Sequence, residues 1–168
     1  MAREASVDDA EAIARVHVAA WQEAYKHVFP PEALALLSVE QRTAQWRGWL
    51  KHSEITVLVA ERDDEVHAFA SAGPNREEEG AAELHAIYVD PPVWGSGVGR
   101  ALLLEIEARL RDAGLGQATL WVLHDNSRAR SFYEAAGWCA EDTRSEIILG
   151  VEVAEIQYRK RFLTRETG

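Results

Sequence analysis

Apolar positions change their rhythm twice along the chain. Ile13, Val16, Ala20, Trp21 and Ala24 recur at helical spacing on one face, which predicts a helix capped by Asp8 or Asp9 and running to about His27. Before it, Arg3 to Val7 reads as a short strand. Pro30-Pro31 stops the helix and starts a second helical stretch, Glu32 to Leu37. Ser38 with Gln41 three residues on has the form of a capping box for a third, reaching about Leu50.

From Ile55 the pattern becomes β-branched and alternating. "ITVLVAER" (Ile55 to Arg62) predicts a strand, Asp63-Asp64 a turn, and "EVHAFASAG" a returning strand. "PNREEEG" is a polar loop, with Glu77, Glu78 and Glu79 expected in solvent, and "AELHAIYV" (Ala82 to Val89) is a third strand. Helical spacing then returns from Arg100 to Ala113. Leu102, Leu103, Ile106 and Leu110 share a face, while Glu105–Arg109 and Glu107–Arg111 are i,i+4 pairs. Gln117 to Leu123 is a strand and Asn126 to Ala136 a short helix closed by Gly137. "WCAEDTR" and "EIILGVEVAEIQYRK" form a final pair of strands. The order predicts a mixed sheet with helices on its faces, in which Glu83 to Leu123 is a right-handed parallel crossover. No repeat and no linker interrupts it, so residues 1–168 read as a single domain.

Composition narrows the function classes. Of the 168 residues, 28 are acidic and 18 basic, giving a formal charge of −10 that repels bulk nucleic acid. The acidity reads as solubility, or more sharply as attraction of a cationic substrate. No apolar run is long enough for a membrane span, and the charged start is not a signal peptide. The single cysteine, Cys139, rules out an internal disulfide, reads as a buried small apolar residue, and points to the cytoplasm. The six histidines lack metal-ligand spacing, so no metal is expected.

The chemistry concentrates in "VDPPVWGSGVGRALLLEIEARL", where Gly95, Gly97 and Gly99 precede a helix. Such a loop aims backbone N–H groups at an anion. It is not a dinucleotide loop, because the third glycine comes one residue early and no acidic residue follows at ribose distance. Arg100-Ala101 after Gly99 excludes a nucleotide P-loop, which needs Lys-Ser/Thr there. A nucleotide-binding oxidoreductase is thereby disfavoured.

Beyond the loop lies "NSRARSFYEAAGW", Asn126 to Trp138. Together with "ELHAIYVDPPVWGSGVGRALL" it resembles the GCN5-related N-acetyltransferase (GNAT) family, from about Ile55 to Trp138, and "EASVDDAEAIARVH" fits the family's opening. The resemblance implies a mixed, largely antiparallel sheet of about seven strands with helices on both faces. It also implies an acetyl-CoA-dependent N-acetyltransferase that transfers acetyl directly to an amine, with a non-catalytic acetyl-CoA sensor as the alternative. The strand Glu83 to Val89 would splay from Gln117 to Leu123. Pantetheine would lie in the gap against Ile87, Tyr88 and Val89, with an N–H near Ile87 steadying the oxyanion. Gly95, Ser96, Gly97, Val98, Gly99 and Arg100 would take the pyrophosphate. Trp94 stands where the family has Arg or Gln, which removes one polar side chain.

By the same resemblance Glu83 is the general base, directly or through a water, and Tyr133 protonates the leaving thiolate, with Asn126 bonding the cofactor arm. Strict alternation puts Glu83, His85, Ile87 and Val89 on one face and Leu84, Ala86 and Tyr88 on the other. A carboxylate in that β-branched stripe is expected to have a raised pKa. His85 is an alternative base or a supporting polar residue. Asn126 also reads as a helix cap. His17, Trp21 and Tyr25, every four residues, read as core, with one or two lining the acceptor site. The expected acceptor is a small cationic amine or a lysine side chain, and an exposed C-terminal strand is a route to a homodimer.

Overall fold

The computed structural model describes residues 2–163. Its seven strands form one sheet in the order β1-β2-β3-β4-β5-β7-β6. They are β1 (Ala2–Glu4), β2 (Thr56–Arg62), β3 (Glu65–Pro74), β4 (Ala81–Val89), β5 (Gln117–Leu123), β6 (Cys139–Ile148) and β7 (Val151–Arg161). Every neighbouring pair is antiparallel except β4–β5. The helices are α1 (Ala10–Ala24), α2 (Pro31–Ala35), α3 (Val39–Trp49), α4 (Val98–Asp112) and α5 (Ser127–Ala135). Helix α4 packs Leu102, Leu103, Ile106 and Leu110 on one face of the sheet, with Tyr133 of α5 in the same cluster. Ile13, Ala14 and Val16 of α1 and Trp46 of α3 cover the other face over β2 and β3. The expected mixed, largely antiparallel sheet is present.

Several local expectations change. The first strand ends at Glu4, because the Asp9 carboxylate accepts from the Ser6 N–H at 2.7 Å and from Arg3 at 2.8 Å. These bonds draw the chain into a short 3₁₀ turn, Val7–Asp9, ahead of α1. Ser38 caps α3 as expected, accepting from Gln41 N at 3.2 Å. Glu107 does not pair with Arg111. It is buried and accepts from Trp138 Nε1 (3.0 Å) and Lys160 Nζ (2.8 Å), which ties α4 to the C-terminal hairpin. The final strands divide at Leu149–Gly150, both left-handed, so "EII" (Glu146 to Ile148) belongs to the first of them. Strand β7 is therefore interior, between β5 and β6, and an edge for a second chain falls to β6 instead. Cys139, at the start of β6, is exposed rather than buried.

Where α1 meets β4, His17 sits in an aromatic cage. Its ring stacks on Tyr88 at 5.0 Å between centroids, with Trp21, Trp46 and Phe69 edge-on. Trp46 Nε1 donates to His17 Nδ1 at 3.2 Å, so the ring proton resides on Nε2. Burial, with Arg42 adding to it, pushes the His17 pKa down to about 4. The unfolded chain therefore binds a proton that the folded one refuses between about pH 6.5 and 4, and stability falls as pH drops through that window. The full shift corresponds to about 3 kcal/mol. His17→Gln, which keeps an acceptor for Trp46, is expected to shrink the loss of stability between pH 6.5 and 4, measured by urea unfolding at each pH.

Candidate active site

Strands β4 and β5 pair only at Ala81↔Gln117, Ala82↔Ala118 and Glu83↔Thr119 and then part. On its other edge β4 stays paired with β3 as far as Val89↔Ala68. The parting leaves one edge of β4 open from Leu84 onward. It gives rise to two adjoining cavities, one of about 670 Å³ and one of about 270 Å³. Ile87, Tyr88, Asn126, Ala129 and Tyr133 line both.

The pairing with β3 is broken by a bulge. Ser71 opposes Ala86 and the next residue, Ala72, opposes Leu84, so His85 is the extra residue. The bulge corrects the expected facing. Leu84, Ile87 and Val89 all pack in the α4-side cluster, and Ala86 and Tyr88 pack on the α1 side. Glu83, opposite Gly73, turns to the α1 side, into the smaller cavity with Tyr88 rather than in line with Ile87 and Val89. His85 has solvent access and lies over Gly73, where a Cβ would come within 3.2 Å of its Cε1. Desolvation lowers the His85 pKa, opposed by Glu83 and assisted by Arg76, so the imidazole is neutral at pH 7.

The larger cavity is floored by the glycine loop. Gly95 and Gly97 have φ of 78° and 88°, and a Cβ added at either would meet no atom within 4 Å. Gly97 precedes α4, and Ala101 N bonds Gly97 O at 3.1 Å, leaving the N–H groups of Val98, Gly99 and Arg100 as the helix's unpaired donors. Gly99 differs: an added Cβ would stand 3.3 Å from Val89 Cγ2 and 3.7 Å from Phe132, so its role is close packing of helix on strand. Arg100 lines the larger cavity and is exposed, whereas the exposed Ser96 is not among its lining residues.

Trp94 answers its own departure from the family pattern. Its indole N–H donates to Val89 O at 2.7 Å, tying the loop to the end of β4. Its ring carries the Arg128 guanidinium at 4.2 Å. A cation is thus returned to the loop from α5. The sequence pattern alone does not single out Arg128, although it stands two residues after Asn126 in the quoted motif.

Tyr133 is buried, and its hydroxyl has no hydrogen-bond partner among the described residues. Burial, with Tyr25 nearby, raises its pKa, so it holds its proton at neutral pH. Asn126 caps α5, its Oδ1 accepting from Ala129 N at 3.1 Å, and its Nδ2 donates to Tyr25 Oη at 3.3 Å. Tyr88, beside Tyr25 in the smaller cavity, accepts from Trp21 Nε1 at 2.9 Å. Burial raises the pKa of both tyrosines. Trp21 and Tyr25 line the smaller cavity, joined there by Trp121, Arg144 and Glu155, three residues the sequence pattern does not single out. Glu78, expected in solvent, is held by Arg159 through two bonds of 2.9 Å. No group of three or more His, Cys, Asp or Glu among the described residues could hold a metal ion, and no described helix is long and apolar enough to cross a membrane.

A parallel strand pair that opens beside a glycine loop and a helix start sets an unpaired strand edge next to free N–H donors, a setting for an extended anionic ligand. Residues 13–138 match the acetyltransferase (GNAT) family, and the chain belongs to it as an N-acetyltransferase. It is 35% identical to the uncharacterized N-acetyltransferase YuaI of Bacillus subtilis (strain 168), over 92% of this chain and 88% of that one. It is 31% identical to the mycothiol acetyltransferase of Rhodococcus erythropolis over 60% of this chain, spanning only 34% of that protein. It also superposes on the PaiA N-acetyltransferase of Thermoplasma acidophilum, solved in complex with coenzyme A. There the TM-score is 0.77 and the identity 24%, over 96% of this chain and 98% of that one.

The two kinds of glycine are separable by stability. Gly97→Ala is expected to cost about 1–2 kcal/mol through left-handed strain alone. Gly99→Val, which presses on Val89 and Phe132, is expected to cost about 1–3 kcal/mol as overpacking, relieved by a second change Val89→Ala. Urea unfolding of the single and double variants checks both, and no relief in the double variant would refute the packing role.

Proposed function

We propose that residues 1–168 are a single domain that transfers acetyl from acetyl-CoA directly to an amine. One observation carries this reading: the unpartnered hydroxyl of buried Tyr133 stands where the two cavities meet. The larger cavity suits coenzyme A. It offers free N–H groups at Val98, Gly99 and Arg100, the cations Arg100 and Arg128, and an open strand edge at Ile87 for an amide-bearing arm. Ser96 and the open backbone of Gly95 and Gly97 complete the phosphate seat. Tyr88 supports this wall from the opposite face, and Val89 O is already committed to Trp94.

When bound, acetyl-CoA supplies an activated thioester; the chain supplies proton transfer and orientation. Glu83, at the mouth of the smaller cavity, accepts the amine proton directly or through a water. His85, neutral at pH 7, is the adjacent acceptor. Tyr133 holds the proton that the departing sulfur requires. Asn126, fixed between Ala129 and Tyr25, keeps the wall between the cavities in place. Membership in a family of N-acetyltransferases favours turnover over a silent acetyl-CoA sensor.

The acceptor we propose is a small cationic amine or a lysine side chain. The smaller cavity carries the carboxylates Glu83 and Glu155 and the aromatic rings of Trp21, Tyr25 and Trp121. The "REEEG" loop contributes less negative charge than its sequence suggests, since Arg159 neutralises Glu78. The exposed Cys139 thiol suits a reducing, cytoplasmic setting.

Glu83→Gln is expected to lower kcat by about 10²-fold and flatten its rise with pH, with coenzyme A affinity unchanged by calorimetry. Tyr133→Phe is expected to lower kcat more than it weakens coenzyme A. A Glu83→Gln enzyme with full rate and an unchanged pH profile transfers the base role to His85 or water. With a cationic acceptor below saturation, the rate is expected to fall between low and physiological ionic strength. A rate indifferent to salt, or a preference for neutral or anionic amines, contradicts the acceptor class and leaves acetyl transfer standing.

A further inference from the structure

The proposed cationic acceptor uses Trp121 and Glu155 of the smaller cavity but gives no role to Arg144, which stands between them. Trp121 of β5, Glu155 of β7 and Arg144 of β6 line that cavity together. The Arg144 guanidinium lies 4.0 Å over the Trp121 ring, and its Nε donates to Glu155 Oε1 at 3.0 Å. Glu155 is nearly enclosed, its side chain 11% exposed, whereas that of Arg144 is 42% exposed. An aromatic face beside an enclosed carboxylate recognises an ammonium or guanidinium. Here the chain's own cation occupies it.

We infer that Trp121 and Glu155 form the seat for a second positive charge on the acceptor, and that Arg144 holds this seat in the free enzyme and yields it on binding. The inference rests on the cationic-amine reading above and specifies it: the acceptor carries one amine to be acetylated and another cation some distance away.

Three features support exchange. First, Arg144 has somewhere to go. The half-exposed Glu146 carboxylate, on the same edge strand, lies 3.5 Å from the same Nε. Second, little holds it. The terminal guanidinium nitrogens make no hydrogen bond among the described residues, so departure breaks one bond and one ring contact. Third, only a cation can replace it at low cost. Displacing Arg144 with a neutral or anionic group would leave Glu155 enclosed and uncompensated, which is strongly unfavourable. An acceptor's anion would in addition share the cavity with Glu83 and Glu155.

The test uses the full chain with saturating acetyl-CoA and follows thiol release with three acceptors of one length: butylamine, 1,4-diaminobutane and 4-aminobutanoate. The wild type is expected to favour the diamine in kcat/KM. Arg144→Ala is expected to raise the diamine-to-butylamine ratio by about tenfold, chiefly through KM. Glu155→Gln and Trp121→Leu are expected to collapse the ratio toward one. Glu155→Gln leaves no unpaired buried charge, so it stands in if Arg144→Ala fails to fold. A ratio unmoved by these variants overturns the seat and leaves the cationic-amine reading intact. A fall in 4-aminobutanoate turnover confined to Arg144→Ala overturns it differently, making Arg144 an anchor for an anion. A wild type that acetylates butylamine or 4-aminobutanoate in preference to the diamine defeats the cationic reading itself, and the seat with it.

Discussion

The site depends on two neighbouring strands that stop pairing. Parallel strands β4 and β5 share three residue pairs and then separate, although both continue for several residues. Backbone N–H and C=O groups left on an open edge must find other partners, so such a parting persists only where something else supports both sides. On the β4 side the support is the ladder to β3, which runs on past its single bulge. On the β5 side it is the seven-pair ladder to β7, from Gln117↔Arg161 to Leu123↔Glu155. Each half of the sheet is complete without the other beyond Glu83, and the gap between them becomes a place for an extended ligand.

Side chains from outside the sheet hold the gap to its shape. Two bonds, Trp21 Nε1 to Tyr88 Oη and Asn126 Nδ2 to Tyr25 Oη, tie α1 to β4 and the turn after α1 to the start of α5. A largely buried hydroxyl without a partner is costly, so these two bonds favour one arrangement of the elements they join. His17 backs the first of them by stacking on Tyr88 in its neutral form. The same residues that pack the N-terminal helices thereby fix the wall on which Tyr133 and Glu83 are set.

Much of this is legible in the sequence, for identifiable reasons. Contacts made within a few residues leave a local signature: the Ser38–Gln41 cap, the Asp63-Asp64 turn, the Asn126 cap and the helix after Gly97 all stand where the pattern puts them. The facing of β4 departs from the pattern because alternation assumes an unbroken pleat. One extra residue at His85 inverts the parity on one side of it, and nothing in "AELHAIYV" marks the insertion. Contacts between distant residues leave no signature at all. Glu78 meets Arg159 and Trp94 meets Arg128 only because the sheet order and the α5 position bring them together. Each side chain alone reads as a solvated charge or an apolar lid.

The distribution of charge gives these distant contacts a common sense. A chain of net charge −10 has no general affinity for a polyanion, so an anionic cofactor needs a local exception. Arg100 and Arg128 provide it at the larger cavity, and neither meets a carboxylate among the described residues. The smaller cavity has Glu83 and Glu155 in its wall, the latter paired with Arg144. Tyr133, whose hydroxyl has no partner among the described residues, lines both cavities. The splay of β4 from β5 thus supplies more than room for one ligand: it leaves two cavities that share a wall at Ile87, Tyr88, Asn126, Ala129 and Tyr133.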